Sequence, residues 1–174
     1  MAKKLEEPSF ELVEKHPEFE IRRYTSNIQA SVRSQGSGDL VNRGSFQRIA
    51  GYIFGRNSSN QRIAMTAPVL MWQDDDGASI MSFVMPSAYA LDDLPEPDDA
   101  ELQLAVKEEE IVASFSFRGF SRPSKVARLT KHLQSLVEQE GWQQIGPARL
   151  AVYDPPTTLP FLRRNEILIP VHMA

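Results

Sequence analysis

Three histidines (His16, His132, His172) and four strand-region methionines (Met65, Met71, Met81, Met85) are the side chains of this chain with nitrogen or sulfur donors that could ligate a transition-metal ion. Each has an ordinary alternative. His16 precedes Pro17, His132 lies beside an apolar helical stripe and His172 is nearly terminal, so all three read first as surface histidines. The methionines read first as flexible core filling. Met65 stands apart because the threonine and proline that follow it, in Ile63–Val69, suggest an irregular strand. No cysteine is present, which removes thiolate ligands, thiol nucleophiles and disulfides together. The metal-ligating residues stay open.

Acid–base chemistry would have to come from a solitary group such as Glu166, Tyr52 or Tyr153. The HExxH, P-loop and GxSxG patterns are absent, and Gly36-Ser37-Gly38 is a turn without a phosphate-binding lysine. The expectation is therefore a binder with no catalytic residues. Arginines recur at Arg43, Arg48, Arg56 and Arg62, and again at Arg163 and Arg164. They form either a solvated face or local attraction for an anionic ligand. Adjacent strand residues face opposite ways, so only one of Arg163 and Arg164 can meet a ligand. Glu166 follows Arg164 by two, and Arg22 follows Glu20 by two, spacings at which mutual pairing is the simple expectation.

The elements that position these groups follow from periodicity. Strict alternation marks strands at Phe19 and Ile21, at Ile28, Ala30 and Val32, at Leu102, Leu104 and Val106, and most clearly from Ile111 to Phe117. Further strands are expected at 63–72, 79–85, 148–153 and 165–169. Two stretches switch to helical spacing. In the first, Asp39 is a candidate N-cap, Phe46, Ile49, Ala50 and Ile53 recur, and Gly55 is the expected stop. In the second, Val126, Leu129, Leu133, Leu136 and Val137 form one stripe between Pro123 and Gly141.

The order is strand, strand, helix, strand, strand over about 10–85 and again over about 101–170, a weak duplication of a ββαββ-like unit. Between them, Pro86 to Ala100 holds three prolines and five acids and reads as an exposed crossover. Each half alone would expose a sheet face, so one domain over 10–174 is expected, behind a tail at 1–9. Its class is α+β, a distorted antiparallel β-barrel with two flanking helices.

Composition narrows the function. The 174 residues are 41% hydrophobic, and the net charge of −4 argues against nucleic acid, which needs clustered Lys and Arg in excess. Twelve of the 23 acids fall between Asp74 and Glu110, against Lys107 alone, so the remainder is net basic. With no apolar leader segment and no membrane-length run, the chain as given reads as cytoplasmic, without membrane insertion. Oligomeric state is not readable.

Six segments in register carry a specific likeness: Glu20–Tyr24 (EIRRY), Phe46–Gly55 (FQRIAGYIFG), Ile63–Val69 (IAMTAPV), Phe83–Pro86 (FVMP), Tyr153–Pro156 (YDPP) and Arg163–Ile167 (RRNEI). In this order they resemble the hallmark blocks of the SOUL haem-binding family, over roughly 20–170. The resemblance implies a distorted barrel related to the GyrI-like effector-binding domains. It also implies a cofactor, haem or a related tetrapyrrole, held in an apolar groove beside the first helix with basic side chains at the propionates. Arg43 falls where haem-binding members place such an arginine. Phe46 and Ala50 follow at i+3 and i+7 on the same face.

Two family lysines fall at Gly51 and about Leu159, and a ligand histidine of one branch falls at Arg23, which implies weak or moderate haem affinity. The candidate ligand-binding set is Arg43, Phe46, Ala50, Phe54, Met65, Phe161 and Arg163. Ile49 and Ile53 belong to a neighbouring stripe about 100° away and are assigned to the core. A carrier or buffer of tetrapyrrole is the first reading. A GyrI-like binder or hydrolase of another small apolar ligand is the second.

Overall fold

The computed structural model describes residues 4–35 and 42–174. In chain order the elements begin with strands β1 (Phe10–Lys15), β2 (Glu20–Tyr24) and β3 (Asn27–Ser34), followed by helix α1 (Arg43–Ile53). Strands β4 (Val69–Gln73), β5 (Ser79–Val84), β6 (Leu102–Lys107) and β7 (Glu110–Arg118) precede helix α2 (Pro123–Gln139). The chain ends with β8 (Trp142–Gln144), β9 (Arg149–Val152) and β10 (Arg164–Met173). The class is α+β, and every strand pair is antiparallel, as expected from the alternating patterns. No helix of the described residues is long and apolar enough to cross a membrane.

Two compact units divide the chain. The first comprises Ser26–Glu108 with the N-terminal residues up to Pro8. Its strands run in the order β4-β5-β3-β6, and α1 packs on β3 and β5. Apolar positions two apart explain the sheet: Ala30 and Val32 face Phe83 and Met81 directly across the β3–β5 pair, and all four are buried. Helix α1 starts where Asn42 Oδ1 accepts from Ser45 N at 3.1 Å, satisfying one of the free donors of the first turn. Asp39, the cap expected from sequence, lies outside the described residues, as does the Gly36–Gly38 turn. The stop at Gly55 is observed, with φ +117 supplied by the residue that tolerates it. Beyond it, buried Asn57 ties the helix exit to Gln61, donating to Tyr52 O and Gln61 O and accepting from Ser59 N and Gln61 N.

The strand expected at 63–72 is shorter than its pattern. Residues 63–68 stay outside the ladder because Pro68 has no N–H to donate, while Ala67 N bonds to Glu6 O and Thr66 Oγ1 to Val84 O.

The second unit comprises Ser9–Thr25 and Glu109–Ala174. Its strands run β1-β2-β7-β10-β9, with β8 also paired to β10. The first hairpin therefore pairs with β7, and the units do not follow the sequence halves at 10–85 and 101–170. The reason is register: Ile21 and Arg22 lie opposite Ala113 and Val112, which extends the long β7–β10 pair by two more strands. One face of this sheet carries Ile21, Ala113, Ile167 and Ile169, and α2 covers it with Leu129, Leu133 and Val137. β1 and β8 carry no clean alternation and lie outside the strands that periodicity predicts.

Candidate functional site

Helix α1 is split by its own periodicity. Ile49, Tyr52 and Ile53 are buried, whereas Arg43, Phe46 and Phe54 are exposed and Ala50 sits half-buried between them. Phe46 on the helix and Phe54 at its C-cap keep 41% and 53% of their surface. The Phe46 ring leans on Phe83 of β5, with centroids 5.9 Å apart. The Arg62 guanidinium lies 5.4 Å from the centre of the Phe54 ring. Arg48 is taken by Asp99 at 3.5 Å, while Arg43 has no ion pair among the described residues. The first unit thus presents an apolar strip with the exposed Arg43 guanidinium at one end. That donor set suits a flat apolar molecule carrying carboxylates.

Of the methionines, Met71, Met81 and Met85 are buried core members, and Met65 is half-buried. All three histidines belong to the second unit. There His16 bonds Glu14 at 2.8 Å and stacks on Phe19, and His132 bonds Glu18 at 3.0 Å. Among the described residues no three His, Asp or Glu side chains are grouped so as to hold a metal ion.

Phe161 and Arg163 also belong to the second unit. Phe161 is exposed, and Arg163 is spent on its own loop: Nε donates to Thr158 O at 2.9 Å and Nη2 to Pro156 O at 2.6 Å. Of the seven candidate residues, Arg43, Phe46, Ala50, Phe54 and Met65 share the first unit, and these two do not.

Tyr52 is a structural anchor. Its hydroxyl donates to Pro95 O at 2.7 Å, and burial pushes its pKa up to about 12.

The sheet face opposite α2 holds a network that local spacing did not reveal. Glu166 and Arg22 are 4% and 8% exposed, and Arg22 Nη2 stands 2.8 Å from Glu166 Oε2 and Nη1 3.1 Å from Oε1. Ser114 and Ser116 each donate to Oε2 at 3.0 Å, and Tyr153 donates to Oε1. Arg22 also donates to Tyr24 Oη at 3.0 Å and to Glu20 at 2.8 Å. Burial pushes the Glu166 carboxyl up, but the Arg22 guanidinium and the Tyr153 and Ser116 hydroxyls more than offset it, leaving it below the ordinary carboxylate range. Tyr153 moves the other way, held well above the usual phenol range by burial and by the Glu166 charge.

Beside the Glu166–Arg164 spacing expected from sequence, Glu166 pairs across the sheet with Arg22. Arg164 lies over the Tyr153 ring, 3.9 Å from its centre. A usable signal existed: Glu20, Arg22 and Tyr24 recur every second place on β2, and Ser114 and Ser116 on β7, so polar side chains share one face of neighbouring strands.

Comparison with known proteins gives a consistent result. The family model described as SOUL heme-binding protein matches residues 5–170. Heme-binding protein 2 of Homo sapiens and of Mus musculus are each 28% identical over 131 residues, covering 71% of this chain and 63% of theirs. The match thus spans less than two thirds of those relatives. Among solved structures, an uncharacterized conserved protein from Listeria innocua superposes with TM-score 0.68 at 14% identity, covering 89% of this chain and 92% of that one. A hydrolase from the same organism gives 0.65 at 16%, over 92% and 94%. The EcmrR C-terminal domain gives 0.63 at 12%, over 90% and 98%. At these identities the structures show the shared fold alone.

Proposed function

Since the chain belongs to the SOUL heme-binding protein family, we propose that it binds haem or a related tetrapyrrole reversibly on the exposed strip of α1, as a carrier or buffer. The observation that carries the reading is the exposure of Phe46 and Phe54 on either side of Ala50, with Arg43, which has no ion pair among the described residues, at the head of the same helix. A porphyrin face would cover the phenylalanines, and a propionate would accept from the Arg43 guanidinium. Met65, half-buried where Met71, Met81 and Met85 are core, would be the soft donor to an iron in a unit whose described residues include no histidine. The bound group would supply its own redox and ligand chemistry; the chain holds and orients it.

A hydrolytic role fits the geometry less well. Both oxygens of Glu166 are occupied by Arg22, Tyr153, Ser114 and Ser116, which leaves no lone pair to take a substrate proton.

Haemin added to the protein should shift and sharpen its Soret band with weak or moderate affinity, and without the low-spin spectrum of two histidine ligands. A sharp low-spin spectrum abolished by replacing one histidine would overturn this. Arg43→Ala should weaken binding by about 1–2 kcal/mol with the thermal melt unchanged, in line with one charge-assisted hydrogen bond. Raising salt should weaken the wild type more than the variant. Identical titrations for both proteins would remove Arg43 from the site.

A further inference from the structure

The second unit carries a surface feature that haem binding on α1 does not use. Leu159, Phe161, Leu162 and Phe120 are 46–68% exposed, and they belong to one place. Arg118 Nη1, at the end of β7, donates to Leu162 O at 3.2 Å, and Gly119 N donates to Arg163 O at 3.1 Å. Arg122 and Arg163 each stand 5.3 Å from the centre of the Phe120 ring. The turn is braced: Leu162 N bonds Leu159 O, Arg163 N bonds Pro160 O, and the Arg163 guanidinium holds Thr158 O and Pro156 O. The backbone of the turn is thus fixed with its apolar side chains standing exposed.

The charge around them has one sign. Residues 111–137 and 155–165 contain no Asp or Glu. Arg118, Arg122, Lys125 and Arg163 make no ion pair among the described residues, and Lys125 Nζ is bonded to a carbonyl, Arg118 O, at 2.9 Å. The nearest carboxylate in the loop, Asp154, is engaged with Arg164 N.

We infer that this surface, the Pro160–Leu162 turn with the end of β7 and the start of α2, docks peripherally on an anionic lipid bilayer. The four apolar side chains enter the headgroup–acyl boundary while the ring of cations meets the lipid phosphates. The apolar part selects a bilayer over a polynucleotide: two of the four anchors are leucines, which cannot stack on bases but gain by leaving water. Neither signal suffices alone, which is why their coincidence carries the inference.

The test is co-sedimentation of the whole chain with vesicles of phosphatidylcholine alone and of phosphatidylcholine with phosphatidylglycerol. The protein should pellet with the anionic vesicles and stay in solution with the neutral ones. Arg118→Glu/Arg122→Glu should reduce partitioning by more than about twentyfold, from roughly fivefold for each basic residue removed from an anionic surface. Leu159→Ser/Leu162→Ser should reduce it on the order of a hundredfold, roughly tenfold per partly inserted leucine. Circular dichroism checks folding; if the double arginine variant unfolds, Arg122→Glu alone decides, because that guanidinium makes no hydrogen bond among the described residues.

Equal pelleting with both vesicle types, or partitioning indifferent to the leucine variant, would overturn the proposal. So would tighter binding to a single-stranded RNA than to anionic vesicles. Haemin titration of the same variants separates the two readings: the Soret change should persist where pelleting is lost. A chain that pellets but gives no Soret change would sink the haem reading alone.

Discussion

Glu166→Ala should destabilise the folded chain by about 3–5 kcal/mol in chemical denaturation, the usual loss when one partner of a buried ion pair is removed and the other stays. The size follows from what remains. Arg22 would keep its charge at 8% exposure, left with Glu20, the Tyr24 hydroxyl and the face of the Phe10 ring, and the hydroxyls of Tyr153, Ser114 and Ser116 would lose their acceptor. Arg22→Met/Glu166→Leu should be less damaging than Glu166→Ala with Arg22 intact, because no charge is then stranded. The same network sets an acid dependence. Glu166 titrates lower folded than unfolded, so its stabilising contribution is complete above the unfolded carboxylate range and is lost as pH falls through the depressed folded value. Between pH 7 and 3 the denaturation midpoint should fall less steeply in Glu166→Gln than in the wild type. An equally steep fall, or a loss below about 1 kcal/mol for Glu166→Ala, would show that the pair contributes little.

That network also marks where sequence reading stops. Strand β7 was legible from Ile111, Ala113, Phe115 and Phe117 because alternation is a local signal, and α2 was legible from its stripe between Pro123 and Gly141. The partner of Glu166 was not, since Arg22 lies 144 residues away and meets it only because β2 and β10 both flank β7. Two residues at i, i+2 always look like the simpler pair. Arg163 shows the same limit from the other side: its type suited a propionate, but its guanidinium closes the turn formed by Pro156 and Thr158, a use that depends on loop shape. On α1, by contrast, the exposed and buried residues could be assigned from 3.6-residue periodicity, and burial divides the helix along that line.

That division allows binding and folding to be separated within four residues. Ile53 is buried in the first unit's core, so Ile53→Ala should cost roughly 2–4 kcal/mol as a cavity and leave haemin affinity within about twofold. Ala50 lies between exposed Phe46 and Phe54, so Ala50→Trp should project an indole over the strip, abolish the Soret change and barely move the melt. The pair of measurements is informative because the two residues are less than a helical turn apart and any general disturbance of α1 would affect both. If Ala50→Trp unfolded the protein while Ile53→Ala lost haemin, the strip would be packing surface and the ligand would lie elsewhere. If both variants bound haemin like the wild type, α1 would be only a covering helix. A tetrapyrrole site would then have to be built from other residues of the family blocks, with Met65 the first to replace.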